Sequence, residues 1–202
     1  MKVVVGAPMI KLGEWERRWF SSYIKYNHEP KECVIASENQ QLLDQIRTEY
    51  PFAKTLHFNY ERPAWTQNRA FAITEARDQL RKYVCAHKEV EWLLMVDADV
   101  ETPPSTIAIL YDIARQGYDL VFSRRVGLIL FMHRDVCESV KWLTAQCIRD
   151  HSLYLEETYQ VERQIQVYNE WRVNVLKQPP IFKIYSFEAK WARHKDKPLG
   201  VY

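Results

Sequence analysis

Glycine is scarce in this chain of 202 residues, and that scarcity excludes several kinds of phosphate-binding site. The five glycines are isolated from one another, so the sequence contains neither a dinucleotide-binding fingerprint nor a P-loop. A protein that binds a diphosphate without a glycine-rich loop must neutralise its charge by other means. Those means are usually a metal ion, with or without basic side chains.

The chain also has few cysteines, no large excess of charge of either sign and no long apolar run. The four cysteines never form the C-x-x-C pairs of structural zinc sites, and their spacing does not indicate a disulfide framework, so we expect reduced thiols. Because 28 Lys and Arg nearly balance 26 Asp and Glu, we expect no nucleic-acid partner. The N-terminus does not resemble a signal peptide, and no apolar run approaches the ~18 residues of a membrane span. We therefore expect a cytoplasmic protein.

Short apolar runs alternate with amphipathic segments along most of the chain. Strands are predicted at 3–8, 33–37, 54–58, 92–96, 120–123 and 128–132, and helices at 13–26, 38–49, 66–84, 103–116 and 134–148. Strands separated by helical stretches of this length predict crossover connections and a mostly parallel sheet with helices on both faces. We therefore predict a doubly wound α/β protein of a single domain, residues 1–202.

Two aspartates, Asp97 and Asp99, follow the most apolar predicted strand. Ligands of open α/β sheets bind at the C-terminal ends of the strands, and alternation along an extended chain would direct both carboxylates to the same side. Two neighbouring negative charges favour a cation near them, and Mg²⁺ or Mn²⁺ prefers oxygen ligands. The pattern predicts a metal site that could share its ion with a diphosphate. A solvated, aspartate-rich turn is the alternative.

Several segments, taken in order along the chain, resemble motifs of GT-A glycosyltransferases, especially of the large family-two type. The triplet from Asp97 to Asp99 resembles the D-x-D motif, which in that family binds a metal and the diphosphate of a nucleotide-sugar. Upstream, residues 67–76 are similar to the family's A-R-N-x-A/G-x-x-x-A helix, although Gln67 replaces the family's Arg.

Two downstream segments extend the resemblance. Residues 127–136 resemble the glycine-led strand that lines the acceptor side in the family. Beyond them, Glu156 and Glu157 with Arg163 are similar to the family's E-D-x-x-x-x-x-R pattern, with Glu in place of the family's Asp. The resemblance implies a GT-A fold in which about residues 1–100 form the nucleotide-binding half and about residues 101–202 the acceptor-binding half.

The resemblance also implies the function and the site. It implies a hexosyltransferase-type enzyme that uses Mn²⁺ or Mg²⁺ and transfers a sugar from a nucleoside-diphosphate sugar to a glycan, protein or lipid acceptor, with inversion at the anomeric carbon. The nucleotide-binding residues that it implies are Ala7, Pro8, Ser37, Glu38, Asn68, Arg69, Asp97 and Asp99.

Three further residues are candidates for chemistry. Glu157 falls where the family keeps its catalytic base, and Asp150 is an alternative base that could equally cap a helix. Some GT-A enzymes add a C-terminal histidine to the metal ligands, and His194 is the candidate here, with an ordinary surface histidine as the alternative.

Other functions share part of this pattern. Haloacid-dehalogenase-type phosphatases also carry D-x-D, but on the first strand and followed by Thr or Val where this chain has Glu101. Sugar nucleotidyltransferases share the sheet, but their first strand opens into a G-x-G-T-R loop, which this chain lacks after Gly6. A non-catalytic nucleotide-sugar-binding module would keep the same nucleotide site.

Contact with a membrane surface is a further alternative. Several related enzymes glycosylate lipids, and an amphipathic basic edge is a candidate for peripheral membrane contact. The same side chains could equally be solvated charges. They are Trp171, Arg172, Lys177, Lys183 and Lys190.

Overall fold

Strands and helices alternate through the computed structural model, which describes residues 1–60, 70–123, 129–140, 166, 169–170, 173–178 and 180–194. The strands are β1 (Val3–Pro8), β2 (Lys31–Ser37), β3 (Lys54–His57), β4 (Trp92–Val96), β5 (Val100–Glu101), β6 (Leu120–Ser123), β7 (Ile129–His133), β8 (Ile184–Phe187) and β9 (Arg193–His194). The helices are α1 (Glu14–Lys25), α2 (Gln40–Glu49), α3 (Ala70–Ala86), α4 (Thr106–Ala114) and α5 (Arg134–Ser139).

Seven strands form one mixed sheet in the order β3-β2-β1-β4-β7-β6-β8. Every neighbouring pair is parallel except the two that involve β7, which runs antiparallel to both β4 and β6. A separate two-stranded ribbon joins β5 to β9. The predicted doubly wound, mostly parallel α/β architecture is confirmed.

Alternate residues of the central strands pack on opposite faces of the sheet, as the two-residue period of a strand requires. On β1, Val3 and Val5 belong to the apolar cluster that also contains Trp19 and Phe20 of α1. Val4 belongs to the cluster on the other face, which includes side chains of α3. Both faces of β1 are therefore buried, which accounts for its continuous apolar sequence.

A close approach between β1 and α3 explains one of the few glycines. A Cβ atom added at Gly6 would lie 2.9 Å from Cδ2 of Leu80. Glycine at this position lets α3 pack directly against the strand, and it brings the helix over the C-terminal end of β1.

The predicted helix at 134–148 was too long. In the structure α5 ends at Ser139, and Val140 is extended with φ −121° and ψ 162°. Ser139 Oγ donates to the Asp135 carbonyl, and Val140 is 6% exposed against the core. Burial of a β-branched side chain, which favours extended backbone, ends the helix there. Residues 141–148 lie outside the described part of the chain.

The structure also bears on membrane-spanning helices and on the state of the cysteines. Within the described residues, no helix is both long enough and apolar enough to cross a membrane. The described cysteines Cys33, Cys85 and Cys137 are free thiols. Burial raises the pKa of the Cys33 and Cys137 thiols, which keeps both protonated and unreactive near neutral pH.

Candidate functional site

The two aspartates that follow β4 lie in a tight turn. The Val100 N–H donates to the Asp97 carbonyl at 3.0 Å, so the chain reverses directly after the strand. The alternation argument assumed an extended chain through Asp97 and Asp99, and that assumption was wrong. The position at the sheet edge is as predicted, because Met95 pairs with Gly6 and the turn therefore follows the strand that lies beside β1.

Helix α1 holds both ends of this turn through hydrogen bonds. Trp19 Nε1 donates to the carbonyl of Val96, the residue before the turn, at 3.2 Å. On the far side, the Thr102 N–H donates to Ser22 Oγ at 3.2 Å, and the Tyr26 hydroxyl bonds to Thr102 Oγ1 at 2.5 Å. Trp19 and Ser22 lie in α1 and Tyr26 directly follows it, and the three side chains recur at helical spacing. They fix the backbone that carries the two carboxylates.

Burial makes this frame costly to break. Trp19 is 1% exposed, and burial raises the pKa of the Tyr26 phenol to about 12, although its hydrogen bond to Thr102 opposes that shift. A buried donor that loses its partner is destabilising by roughly 1–3 kcal/mol. The end of β4 and the strand after the turn are therefore held in one arrangement.

A buried arginine contacts the site from the opposite face of the sheet edge. Arg77, on α3, has a side chain 2% exposed, and its Nη2 donates to Asp97 Oδ1 at 2.8 Å. The Asp97 side chain is 22% exposed, so this carboxylate lies between the buried guanidinium and solvent. A charge-assisted hydrogen bond of this kind fixes the position of the carboxylate oxygen.

Sequence analysis missed Arg77, although a signal was present. The residues Ile73, Arg77, Leu80 and Val84 recur at the spacing of one helix face, and three of the four are apolar. A single arginine among inward-facing apolar side chains needs a buried acidic partner, because a buried charge is otherwise strongly unfavourable. The partner could not be identified before the fold was known.

A cleft opens at the same edge of the sheet as the turn, between the ends of β1 and β2 and the helix α3. It has an open volume of about 210 Å³, including space open to solvent. Its lining includes Pro8, Ser37, Glu38, Phe58 and Ala72. Apolar surfaces with a few polar groups are typical of sites for small organic ligands.

The nucleotide-binding residues predicted for the first two strands lie at different depths in this region. Pro8, Ser37 and Glu38 line the cleft together. Ser37 Oγ accepts a hydrogen bond from the Asn39 N–H at 3.1 Å, while Glu38 is exposed. Ala7 is fully buried in the core beneath them.

The remaining predicted site residues are described in part or not at all. Asn68, Arg69, Asp150 and Glu157 lie outside the described residues. The backbone of His194 lies in β9 and pairs with Val100, the residue that follows Asp99. The fold thus returns the C-terminal segment to the turn across about a hundred residues of sequence, a contact that no local pattern could predict.

The donor set suits a hard divalent ion that shares its coordination with another ligand. Two carboxylates in one turn offer the oxygen ligands that Mg²⁺ and Mn²⁺ prefer. Over the described ranges, no group of three or more His, Cys, Asp or Glu side chains could hold a metal by itself. One oxygen of Asp97 already accepts from Arg77. The residues present would therefore fit an ion only if ligands from outside these two side chains completed its coordination.

Comparison with known proteins gives structural neighbours only. No protein-family model and no curated protein matches the sequence. Residues 1–349 of TarS from S. aureus, in complex with UDP-GlcNAc, match with TM-score 0.56 and 13% identity, covering 100% of this chain and 62% of that chain. The mannosyltransferase PcManGT from Pyrobaculum calidifontis, in complex with GDP-Man and Mn²⁺, matches with TM-score 0.54 and 10% identity, covering 93% and 55%. This chain thus spans less than two thirds of either protein.

A third neighbour performs different chemistry. CMP:2-keto-3-deoxy-manno-octonic acid synthetase, complexed with CTP, matches with TM-score 0.53 and 10% identity, covering 94% of this chain and 90% of that chain. Similarity at such low identity shows the fold alone. The chain has the GT-A-like fold of nucleotide-sugar transferases, with a mostly parallel mixed sheet flanked by helices. Because one fold serves several reactions, function must be argued from the site.

Proposed function

We propose that this chain is a metal-dependent glycosyltransferase that moves a sugar from a nucleoside-diphosphate sugar to an acceptor hydroxyl. One observation carries the proposal. The turn with Asp97 and Asp99 lies at the C-terminal edge of a GT-A-like sheet, the edge at which a cleft lined by Pro8, Ser37 and Glu38 opens. A cation site for the diphosphate and a partly apolar cleft for the base and ribose would together suit the two parts of a nucleoside diphosphate.

The donor would bind across both parts of the site. The cleft would hold the base and ribose between Pro8 and Phe58, with Ser37 and Glu38 available for polar contacts. The neighbouring structures hold UDP-GlcNAc or GDP-Man, which supports a nucleotide-sugar as the donor class. By resemblance, Asn68 and Arg69 would add contacts to the nucleotide.

The diphosphate would lie at the turn. Asp97 and Asp99 would hold Mn²⁺ or Mg²⁺, with His194 as the proposed third protein ligand, and the Mn²⁺ in PcManGT supports a divalent ion. Such an ion, when bound, stabilises the negative charge that develops on the departing diphosphate. The hydrogen bond from Trp19 to the Val96 carbonyl and the one from the Thr102 N–H to Ser22 Oγ would hold the backbone of the aspartate turn in place.

The acceptor hydroxyl needs a base on the face opposite the leaving group in an inverting transfer. We propose Glu157 for that role and Asp150 as the alternative. Glu157→Gln keeps the size of the side chain and removes its basicity, so turnover should fall by at least about a hundredfold while donor binding persists. A nucleotide-sugar-binding module without activity would show no turnover in either form.

Sugar nucleotidyl transfer is the second candidate, because the CTP-bound synthetase shares the fold. That reaction consumes a nucleoside triphosphate and a sugar, and releases pyrophosphate. A sugar transferase instead consumes a nucleotide-sugar and releases a nucleoside diphosphate. The phosphatase alternative fits less well, since the D-x-D triplet follows β4 and not the first strand of the sheet.

The products decide between these reactions. The chain should be incubated with Mn²⁺ and either UDP-GlcNAc or GDP-Man, and separately with CTP and a sugar acid. We expect release of UDP or GDP, from slow donor hydrolysis or from transfer to a supplied glycan, protein or lipid acceptor. Pyrophosphate release from CTP, with no diphosphate release from either nucleotide-sugar, would contradict the proposal.

A further inference from the structure

A permanent positive charge is built into the protein beneath the aspartate turn. Arg77 is 2% exposed and donates to Asp97 Oδ1 at 2.8 Å. The guanidinium of an arginine carries a positive charge delocalised over its N–H donors, so Arg77 places a positive charge at this carboxylate. Helix α3 packs against β1 and β4, which fixes the guanidinium relative to the turn.

This charge opposes any cation that would use the same carboxylate. A divalent ion on Asp97 would be repelled by the guanidinium, and it would compete with Nη2 for carboxylate electron density. Electrostatic interactions are strong where solvent is largely excluded, as it is around Arg77. A bound diphosphate reverses the balance, because its negative charge is attracted by both the ion and the arginine.

We propose that Arg77 is a resident counter-charge that makes ion binding at Asp97 and Asp99 depend on the nucleotide. The inference rests on the proposed function for the nature of the ligand. With Arg77 in place, the turn binds a divalent ion weakly by itself and firmly once diphosphate oxygens are present. Arg77 is in this sense a positioning residue, because it acts on the ion and the diphosphate through Asp97.

The first test measures the affinity for Mn²⁺ alone, from the electron paramagnetic resonance signal of the free ion during titration. Arg77→Met keeps most of the aliphatic stem and removes the charge. Arg77→Gln also removes the charge but leaves an amide that can donate to Asp97, so it is the variant less disturbing to folding. Both should bind Mn²⁺ tighter than the wild type, on the order of tenfold. An arginine with a purely structural role would produce no gain.

Two further variants test whether the tighter binding of Mn²⁺ is caused by the loss of charge and whether it occurs at this turn. Arg77→Lys retains the positive charge, and its affinity for Mn²⁺ should stay close to that of the wild type. Adding Asp99→Asn to Arg77→Gln should abolish the gain, because the gain requires the turn. An unchanged gain in that double variant would place the ion elsewhere and overturn the proposal.

Helix α3 offers a matched control at Arg81. Its Nε donates to Asp78 Oδ1 at 2.7 Å and its side chain is 11% exposed, so it forms a similar ion pair four residues further along the helix. Arg81→Gln and Arg77→Gln should both lower the thermal unfolding midpoint, but Arg81→Gln should leave the affinity for Mn²⁺ unchanged. An equal gain in Arg81→Gln would mean that loosening the helix, and not the loss of charge at Arg77, causes the effect.

The outcomes separate this inference from the function on which it rests. If the wild type binds UDP or GDP in a Mn²⁺-dependent way but neither neutral variant binds Mn²⁺ alone more tightly, the role of Arg77 is wrong and the function stands. If no variant binds Mn²⁺ and nucleotide binding does not depend on the ion, the metal site and the role of Arg77 both fail.

Discussion

The two ends of the parallel strands carry buried or half-buried carboxylates in very different settings. At the N-terminal edge, Glu32 of β2 lies 3.2 Å from Lys2 and 3.0 Å from Lys54, and it accepts a hydrogen bond from Tyr83. At the C-terminal edge, two carboxylates share one turn, and the structure shows a buried guanidinium on the first of them.

The difference separates a stabilising cluster from a candidate ligand site. The partners of Glu32 are Lys2, which directly precedes β1, Lys54 of β3 and Tyr83 of α3, so this carboxylate ties elements of the fold together. The backbone on either side of the aspartate turn is instead held by α1, so the placement of this backbone does not rest on carboxylate contacts alone. Charge at the first edge should therefore affect stability alone, and charge at the second should affect ligand binding.

Asp97→Asn should have the largest effect, because it removes a proposed ligand and also the carboxylate partner of buried Arg77. Breaking a buried ion pair from one side destabilises a protein by about 3 kcal/mol. We expect a clear fall in the thermal unfolding midpoint together with loss of donor turnover. A variant with unchanged stability would show that the Arg77 contact contributes little to folding.

Asp99→Asn should affect function more than stability. We expect turnover of the nucleotide-sugar to fall on the order of a hundredfold, since one ligand of the proposed ion is lost. The unfolding midpoint should fall less than in Asp97→Asn, because the guanidinium that donates to Asp97 is 2% exposed. Kinetic assays paired with thermal unfolding measure both, and equal losses of stability in the two variants would remove the distinction between the aspartates.

Trp19→Phe tests the frame that α1 provides. It removes the hydrogen bond to the Val96 carbonyl and leaves space in a fully buried position, which together should lower the free energy of unfolding by about 2 kcal/mol. We also expect a several-fold lower kcat, because the turn is less firmly placed. Tyr23→Phe, on the same helix, is the control and should leave kcat unchanged.

Glu32→Gln should have the smallest effect, a loss of about 1 kcal/mol of stability with no change in nucleotide binding. Burial alone would raise the pKa of Glu32, but the hydrogen bonds from Tyr83, Lys54 and Lys2 outweigh it and lower the pKa. A carboxylate with a lowered folded-state pKa contributes stability above its unfolded pKa, and that contribution is lost as the pH falls through the folded value.

The pH dependence of the free energy of unfolding is a second measurement of the contribution of Glu32. Chemical denaturation between neutral pH and about pH 3 should show the wild type losing more stability than Glu32→Gln, since only the wild type protonates this group. Parallel curves for the two proteins would mean that Glu32 is not stabilised by its cationic partners. Reduced nucleotide binding in Glu32→Gln would contradict the separation of the two edges.

The sequence predicted the central strands well because their burial is recorded locally. Val3–Pro8 is an apolar run that ends in a proline, and Trp92–Val96 is an apolar run between Glu91 and Asp97, so a buried strand was the expected structure of each. Strand β8 was not predicted, because half-exposed residues from Ile184 to Phe187 become a strand only by pairing with β6. That pairing depends on residues more than sixty positions apart.

The candidate site likewise has a part that the sequence predicted and a part that it did not. Asp97 and Asp99 were identified from two carboxylates after an apolar strand, which is a local pattern. The contact from Arg77 and the hydrogen bond from Trp19 depend on how α3 and α1 pack on the sheet, so the sequence alone could not supply them. The resemblance to a family fixed the region of the site but not its electrostatic partners.

The most direct test of the account is the binding of UDP and GDP to the wild type and to Asp99→Asn, each with and without Mn²⁺, by isothermal titration calorimetry. We predict that at least one nucleotide binds the wild type, that Mn²⁺ strengthens this binding at least about tenfold, and that Asp99→Asn abolishes the strengthening. Nucleotide binding that is equally strong without Mn²⁺, or that is unaffected by Asp99→Asn, would contradict a diphosphate held through an ion at the aspartate turn.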